Sequence, residues 1–187
     1  MTMLPPLIAL LAGLVMVTSC SAATPRDQRP LGSVTAVPQV CGLISKDAIG
    51  RATGLTRFSA SGSEPGGPFK LCSVIEEPDQ GEGSRLLIEI YEPPPTSLQG
   101  LENTKAHDNG SELPEGLGPG YSALIQRDGE VVGAYVYAWT PDVRRLLSIR
   151  ITHGAPGRDH RADAIEFLRQ LKPLLLAPSR LSPVPAK

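Results

Sequence analysis

Apolar and polar positions along this chain follow two periods, about 3.6 and 2, and the switches between them divide it into elements. Leu43, Ile44, Ala48, Ile49 and Ala52 recur at helical spacing between Ser45, a helix-capping residue type, and Gly54, so a short helix is expected through about Ala52. Beyond it the period falls to two. A first strand is expected at 56–60, followed by a Gly/Pro/Ser loop at 61–68. Residues 70–76 set Cys72, Val74 and Glu76 against Leu71, Ser73 and Ile75, and 85–92 set Leu86, Ile88 and Ile90 against Leu87 and Glu89 until Pro93-Pro94-Pro95 ends the run.

The second half repeats this logic. Residues 96–110 are polar with sparse apolar positions, which predicts one weak helix, and 113–120 is turn-rich loop. Three strands are expected at 121–127, 131–139 and 144–152, with Asp128-Gly129 as a hairpin turn between the first two. In the middle strand Tyr135, Tyr137 and Trp139 share one face and Ala134, Val136 and Ala138 the other, so both faces should be covered. A last helix is expected over about 159–176, with Ile165, Leu168, Leu171 and Leu175 inward and Pro173 kinking or shortening it. The fold class is α+β: a mainly antiparallel sheet with a short N-terminal and a longer C-terminal helix packed on one side of it, carrying one disulfide.

The first forty residues follow neither pattern. Residues 1–25 carry no charged side chain, and the apolar heart at 4–17 is short for a membrane span but suits a signal peptide. The stretch 20–39, with Pro25, Pro30 and Pro38 among small polar residues, reads as a flexible linker, and 178–187, with three prolines, as a disordered tail. The expected organisation is a signal peptide at 1–19, a modified Cys20 and linker to 39, one domain at 40–177, and the tail.

Composition narrows the function classes. Eighteen basic and nineteen acidic side chains leave a net charge of -1 without a basic tract, which argues against nucleic acid as a partner. Only eight residues are aromatic, so the core must be largely aliphatic. Of three cysteines, Cys41 and Cys72 lie in the domain and are expected to pair outside the cytoplasm, which leaves Cys20 to be explained by the leader it closes.

Val17-Thr18-Ser19-Cys20 resembles a bacterial lipobox. The resemblance implies a diacylglycerol on the Cys20 sulfur, cleavage before Cys20, and acylation of the new amine by a fatty acid such as palmitate. Two or more acyl chains anchor a protein stably, at about 0.8 kcal/mol per buried methylene. Ordinary cleavage after Ala22 or Ala23, giving a free secreted protein, is the alternative. The run Cys41-Gly42-Leu43-Ile44-Ser45, the helix ending at Gly54, Cys72 in a strand, Leu117-Gly118-Pro119-Gly120-Tyr121 before a group of strands, and the terminal amphipathic helix resemble an actinobacterial secreted lipoprotein family of unknown function over about 40–176. That resemblance implies a paired Cys41 and Cys72 and no activity.

Candidate chemistry is sparse. His153, Asp159 and His160 lack a recurring metal-ligand spacing, and the acidic group Glu76, Glu77, Asp79 and Glu82 lacks the alternation of a Ca²⁺ loop, so no metal and no cofactor are expected. Neither a nucleophile elbow nor a phosphate loop is present, and no catalytic residue is assigned. Two weaker candidates remain: an anion site from Arg158, His160 and Arg161 at the start of the last helix, with Asp159 as its alternative cap, and a ligand groove along Tyr135, Tyr137 and Trp139. The expectation is a non-catalytic binding module, lipid-anchored on the extracytoplasmic face of the cell membrane, whose partner is an envelope protein, cell-wall component or lipid. A carrier of a lipid or small hydrophobic ligand is the alternative, motivated by Gly133, Ala134 and Ala138.

Overall fold

The computed structural model describes Asp27, residues 29–77 and residues 85–177. The leader, Cys20, the acidic Asp79 and Glu82, and the tail at 178–187 lie outside the described residues. Described elements run in the order β1 (Gln39–Val40), β2 (Ile44–Ser45), α1 (Lys46–Thr53), β3 (Phe58–Gly62), β4 (Leu71–Glu76), β5 (Arg85–Tyr91), α2 (Leu98–His107), β6 (Ser111–Glu112), β7 (Gly120–Arg127), β8 (Glu130–Trp139), β9 (Leu146–Thr152) and α3 (His160–Leu175).

Among these, β3 to β9 form one antiparallel sheet in the order β3-β4-β5-β9-β8-β7-β6, and β1 pairs with β2 separately. The chain builds β3, β4 and β5 as a meander, passes through α2 to the opposite edge, and returns through β6, β7 and β8 until β9 closes against β5. The architecture is α+β, as the alternation of residues predicts.

One face of the sheet carries the main core. Cys72 and Val74, Leu86 and Ile88, Leu147, Ile149 and Ile151, and Val136 and Ala138 meet Ala48, Ile49 and Ala52 of α1 and Ala164, Phe167, Leu168 and Leu171 of α3, all fully buried. The small Ala134 and Ala138 sit on the side of β8 that faces α3, so their size lets the helix approach rather than opening a cavity. Gly133 has a different cause. A Cβ there would lie 2.1 Å from the Ile151 carbonyl oxygen, so the β8–β9 pairing itself excludes a side chain.

The helix ends follow local chemistry. Gly54 takes the left-handed conformation (φ 78°) after α1 and its N–H reaches the Gly50 carbonyl. Ser45 occupies the N-cap position of α1, but its side chain makes no capping hydrogen bond. Asp159 caps α3 by accepting from the Ala162 N–H at 3.0 Å. Pro173 lies in the last turn, and the helix continues past it to Leu175.

Helices α1 and α3 share one side of the sheet, as expected, while α2 adds a cover on the second face, where its Leu101 packs with Tyr121, Ala123, Tyr135, Trp139 and Leu146. One expectation is corrected. The linker does not extend to residue 39. Leu31 and Val34 are buried, the Val34 N–H donates to Gln170 Oε1 of α3 at 2.9 Å, and Gln170 Nε2 donates to the Gly32 carbonyl at 2.9 Å. Two buried aliphatic side chains at about 1.5–3 kcal/mol each make this a docked strap. A proline-rich segment can still pack, and two isolated apolar residues gave no periodicity to read.

Candidate functional site

The second face of the sheet holds the aromatic residues. Tyr121 of β7 meets Tyr135, Tyr137 and Trp139 of β8 at ring-centroid separations of 6.0, 5.4 and 6.3 Å, in tilted or edge-on arrangements. Cross-strand register brings them together, since Tyr121 pairs with Tyr137 and Ala123 with Tyr135. Tyr121, Tyr135 and Trp139 are buried, and Tyr137 is half-buried.

The stripe is therefore mostly core beneath α2. Of the three predicted groove residues, Tyr137 lines a cleft of about 110 Å³ shared with Tyr91, Leu101, Thr104, Tyr121 and Leu146, while Tyr135 and Trp139 are buried. The Tyr135 hydroxyl donates to the Asp108 carboxylate, and Arg150 lies 5.4 Å from the Tyr135 ring centroid. Burial and that carboxylate push the Tyr135 phenol up, and burial pushes up the Tyr121 phenol. Burial and the Glu89 carboxylate, which accepts from the Tyr91 hydroxyl at 2.8 Å, raise Tyr91 to about 12. All three phenols are thus held protonated at neutral pH and ill suited to act as bases.

At the other candidate, the three residues of the predicted anion site stand in different environments. Arg158 grips Asp163 with two hydrogen bonds, Nε to Oδ2 at 2.7 Å and Nη2 to Oδ1 at 2.6 Å. Its Nη2 also donates to the Arg29 carbonyl at 3.0 Å, and Nη1 stands 3.2 Å from Asp27 Oδ2. The Arg158 and Asp163 side chains are only 4% and 6% exposed, so this is a buried, structural ion pair. His160 is buried with its Nδ1 lacking a hydrogen-bond partner among the described residues, and burial lowers its pKa. Arg161 donates to Ser111 Oγ at 3.1 Å. Arg158 is already engaged by two carboxylates, which speaks against its serving the predicted anion site.

The residues that sequence reasoning missed are the acids. Asp27 accepts from Arg29 Nε and Nη2 at 2.9 and 2.8 Å, and these bonds hold its carboxyl well below the usual carboxylate range. The Asp27 N–H donates to the Gly157 carbonyl at 2.9 Å, which fixes the strap to the loop before α3. A groove of about 580 Å³ runs beside this pair, lined by Arg29, Leu31, Pro114, Ala162, Glu166 and Arg169 among others. It carries both charge signs. Asp163, four residues after the cap, was visible as a first-turn acid; Asp27 gave no sign of its role at the loop before α3, because Arg158, its second partner there, is 131 residues away.

Cys41 and Cys72 form the expected disulfide, which ties the segment before α1 to β4 across a separation of 31 residues. No group of three or more potential metal-ligating side chains occurs among the described residues. No family model, curated protein or solved structure matches the chain.

Proposed function

We propose that this protein is a lipoprotein of the cell envelope, anchored through Cys20 on the extracytoplasmic side of the membrane, whose domain serves as a non-catalytic binding module. The observation that carries the reading is the Cys41–Cys72 disulfide in a chain whose remaining cysteine closes an apolar leader. Stable disulfides belong to oxidising compartments, and with two cysteines joined, Cys20 is the one left for a modification. The resemblance to actinobacterial lipoproteins of unknown function points the same way.

The non-catalytic part of the reading rests on what the chemically capable groups do. Arg158 is bound by acids, His160 is buried, and the phenols are packed and protonated. What remains for recognition is surface, including outward positions of β4, β5 and β9 such as the exposed Ile75 and Arg150, with Leu87 between them half-buried.

Fractionation tests the anchor: the native chain should stay with membranes until detergent is added, and Cys20→Ser should release it. Extraction of the purified protein into organic solvent separates the module from the carrier alternative. A stoichiometric bound lipid beyond the covalent anchor would favour the carrier and contradict a module.

A further inference from the structure

The strap changes how far the domain can stand from its anchor. With a linker running to residue 39, twenty Cα steps would let the domain swing up to about 70 Å from Cys20. The docked strap leaves only the seven steps from Cys20 to Asp27, which span at most about 25 Å fully extended and about 15 Å as a coil. A domain of this size is about 40 Å across. A tether shorter than the body it holds cannot let that body turn over.

Two hydrogen bonds identify which end is held. The Asp27 N–H bonds to Gly157, and in the same loop the Gly154 N–H donates to the Val132 carbonyl at 3.1 Å, near the Glu130 end of β8. At the other end of α3, Arg145 Nη1 donates to the Ala177 carbonyl at 3.0 Å, beside the 140–145 turn that follows Trp139. Strand β8 and helix α3 therefore both run from the latched end to the far end. Ten residues of β8 separate the two by about 30 Å.

We propose that the latched end, which carries Asp27, the 153–158 loop and the Asp128-Gly129 turn, is a membrane-apposed surface whose partner is the lipid headgroup layer, and that the 140–145 turn points away from the bilayer. This rests on the anchoring proposed for Cys20. Surface charge does not set the orientation. It follows from a latch joined to the membrane by a chain too short to permit another.

The test uses the full acylated protein in vesicles of phosphatidylethanolamine and phosphatidylglycerol containing a headgroup-linked energy acceptor. A donor dye is placed through an unnatural amino acid at Glu130 or at Arg144, both exposed. Energy transfer should be at least about threefold faster from position 130, given the height difference of about 30 Å. A twenty-residue Gly-Ser spacer between Arg26 and Asp27 should bring the two rates together. Equal rates in the native chain, or a difference that survives the spacer, would overturn the orientation. Mass spectrometry of the same sample separates the two claims: equal rates with Cys20 acylated sink the orientation alone, and an unmodified Cys20 removes the anchor and the orientation together.

Discussion

Replacing Arg158 by Met tests whether this residue holds the fold together or waits for an anion. The substitution keeps much of the aliphatic stem and removes the guanidinium, leaving the Asp163 carboxylate, 6% exposed, without its two hydrogen bonds. Breaking one side of a buried ion pair costs about 3–5 kcal/mol. The position of Asp163 in the first turn of α3 offsets about 0.5–1 kcal/mol of this through the helix dipole, and Asp27 keeps Arg29 as its partner, so about 3 kcal/mol is expected. At an unfolding entropy of about 0.3 kcal/mol/K for some 150 residues, the melting temperature should fall by about 10 °C.

A double variant gives a second signature. Adding Asp163→Leu removes the orphaned charge and should recover at least about 2 kcal/mol. Urea titration of the soluble Cys20→Ser chain and its variants measures all of this. A loss under about 1 kcal/mol in Arg158→Met, or no recovery in the double variant, would refute a structural role. Phosphate raising the melting point of the parent chain beyond an ionic-strength control would favour the anion site after all.

Three further outcomes follow from the same structure. Removing the disulfide with Cys41→Ala and Cys72→Ala should cost at least about 3.7 kcal/mol, because the closed loop spans 31 residues and Cys72 is buried; a loss under about 1 kcal/mol in denaturant titration would contradict it. Tyr121→Phe should change stability by less than about 0.5 kcal/mol, since its buried hydroxyl has no hydrogen-bond partner among the described residues, whereas Tyr135→Phe should cost about 1.5–3 kcal/mol by losing a bond to the Asp108 carboxylate; equal effects would show the assignment to be wrong. His160, facing Asp163, Asp159 and Arg158, has its pKa lowered by burial, so stability held above about pH 6.5 is lost as pH falls below it, at no more than about 1.4 kcal/mol per pH unit; His160→Gln should flatten that slope, and an unchanged slope between pH 5 and 7 would remove His160 as its source.

Much of the fold was legible because its signals are local. Alternation in 70–76 and 85–92 assigned Cys72, Val74, Leu86 and Ile88 to the core face, and Asp128-Gly129 marked the hairpin now seen between β7 and β8. Parity and compartment joined Cys41 to Cys72. What escaped depends on contacts distant in sequence. Leu31 and Val34 look like linker residues until Gln170 receives them, and α2, with one buried side chain, gave no periodicity to say which face it covers. The partners of Arg158 escaped for a related reason. Arg158 beside a helix N-terminus suggests an anion, but only the tertiary structure shows that Asp163 and Asp27 already supply the negative charge. The aromatic stripe was correctly placed on one face of β8, yet pattern alone does not distinguish a lined groove from a covered core.

The most direct measurement of the central claim is mass spectrometry of the mature N-terminus from the native host. A terminal peptide beginning at Cys20, carrying a thioether diacylglycerol and an acylated amine, is the predicted result. An unmodified terminus beginning at Ala23 or Thr24 would contradict it, making the protein a free secreted domain.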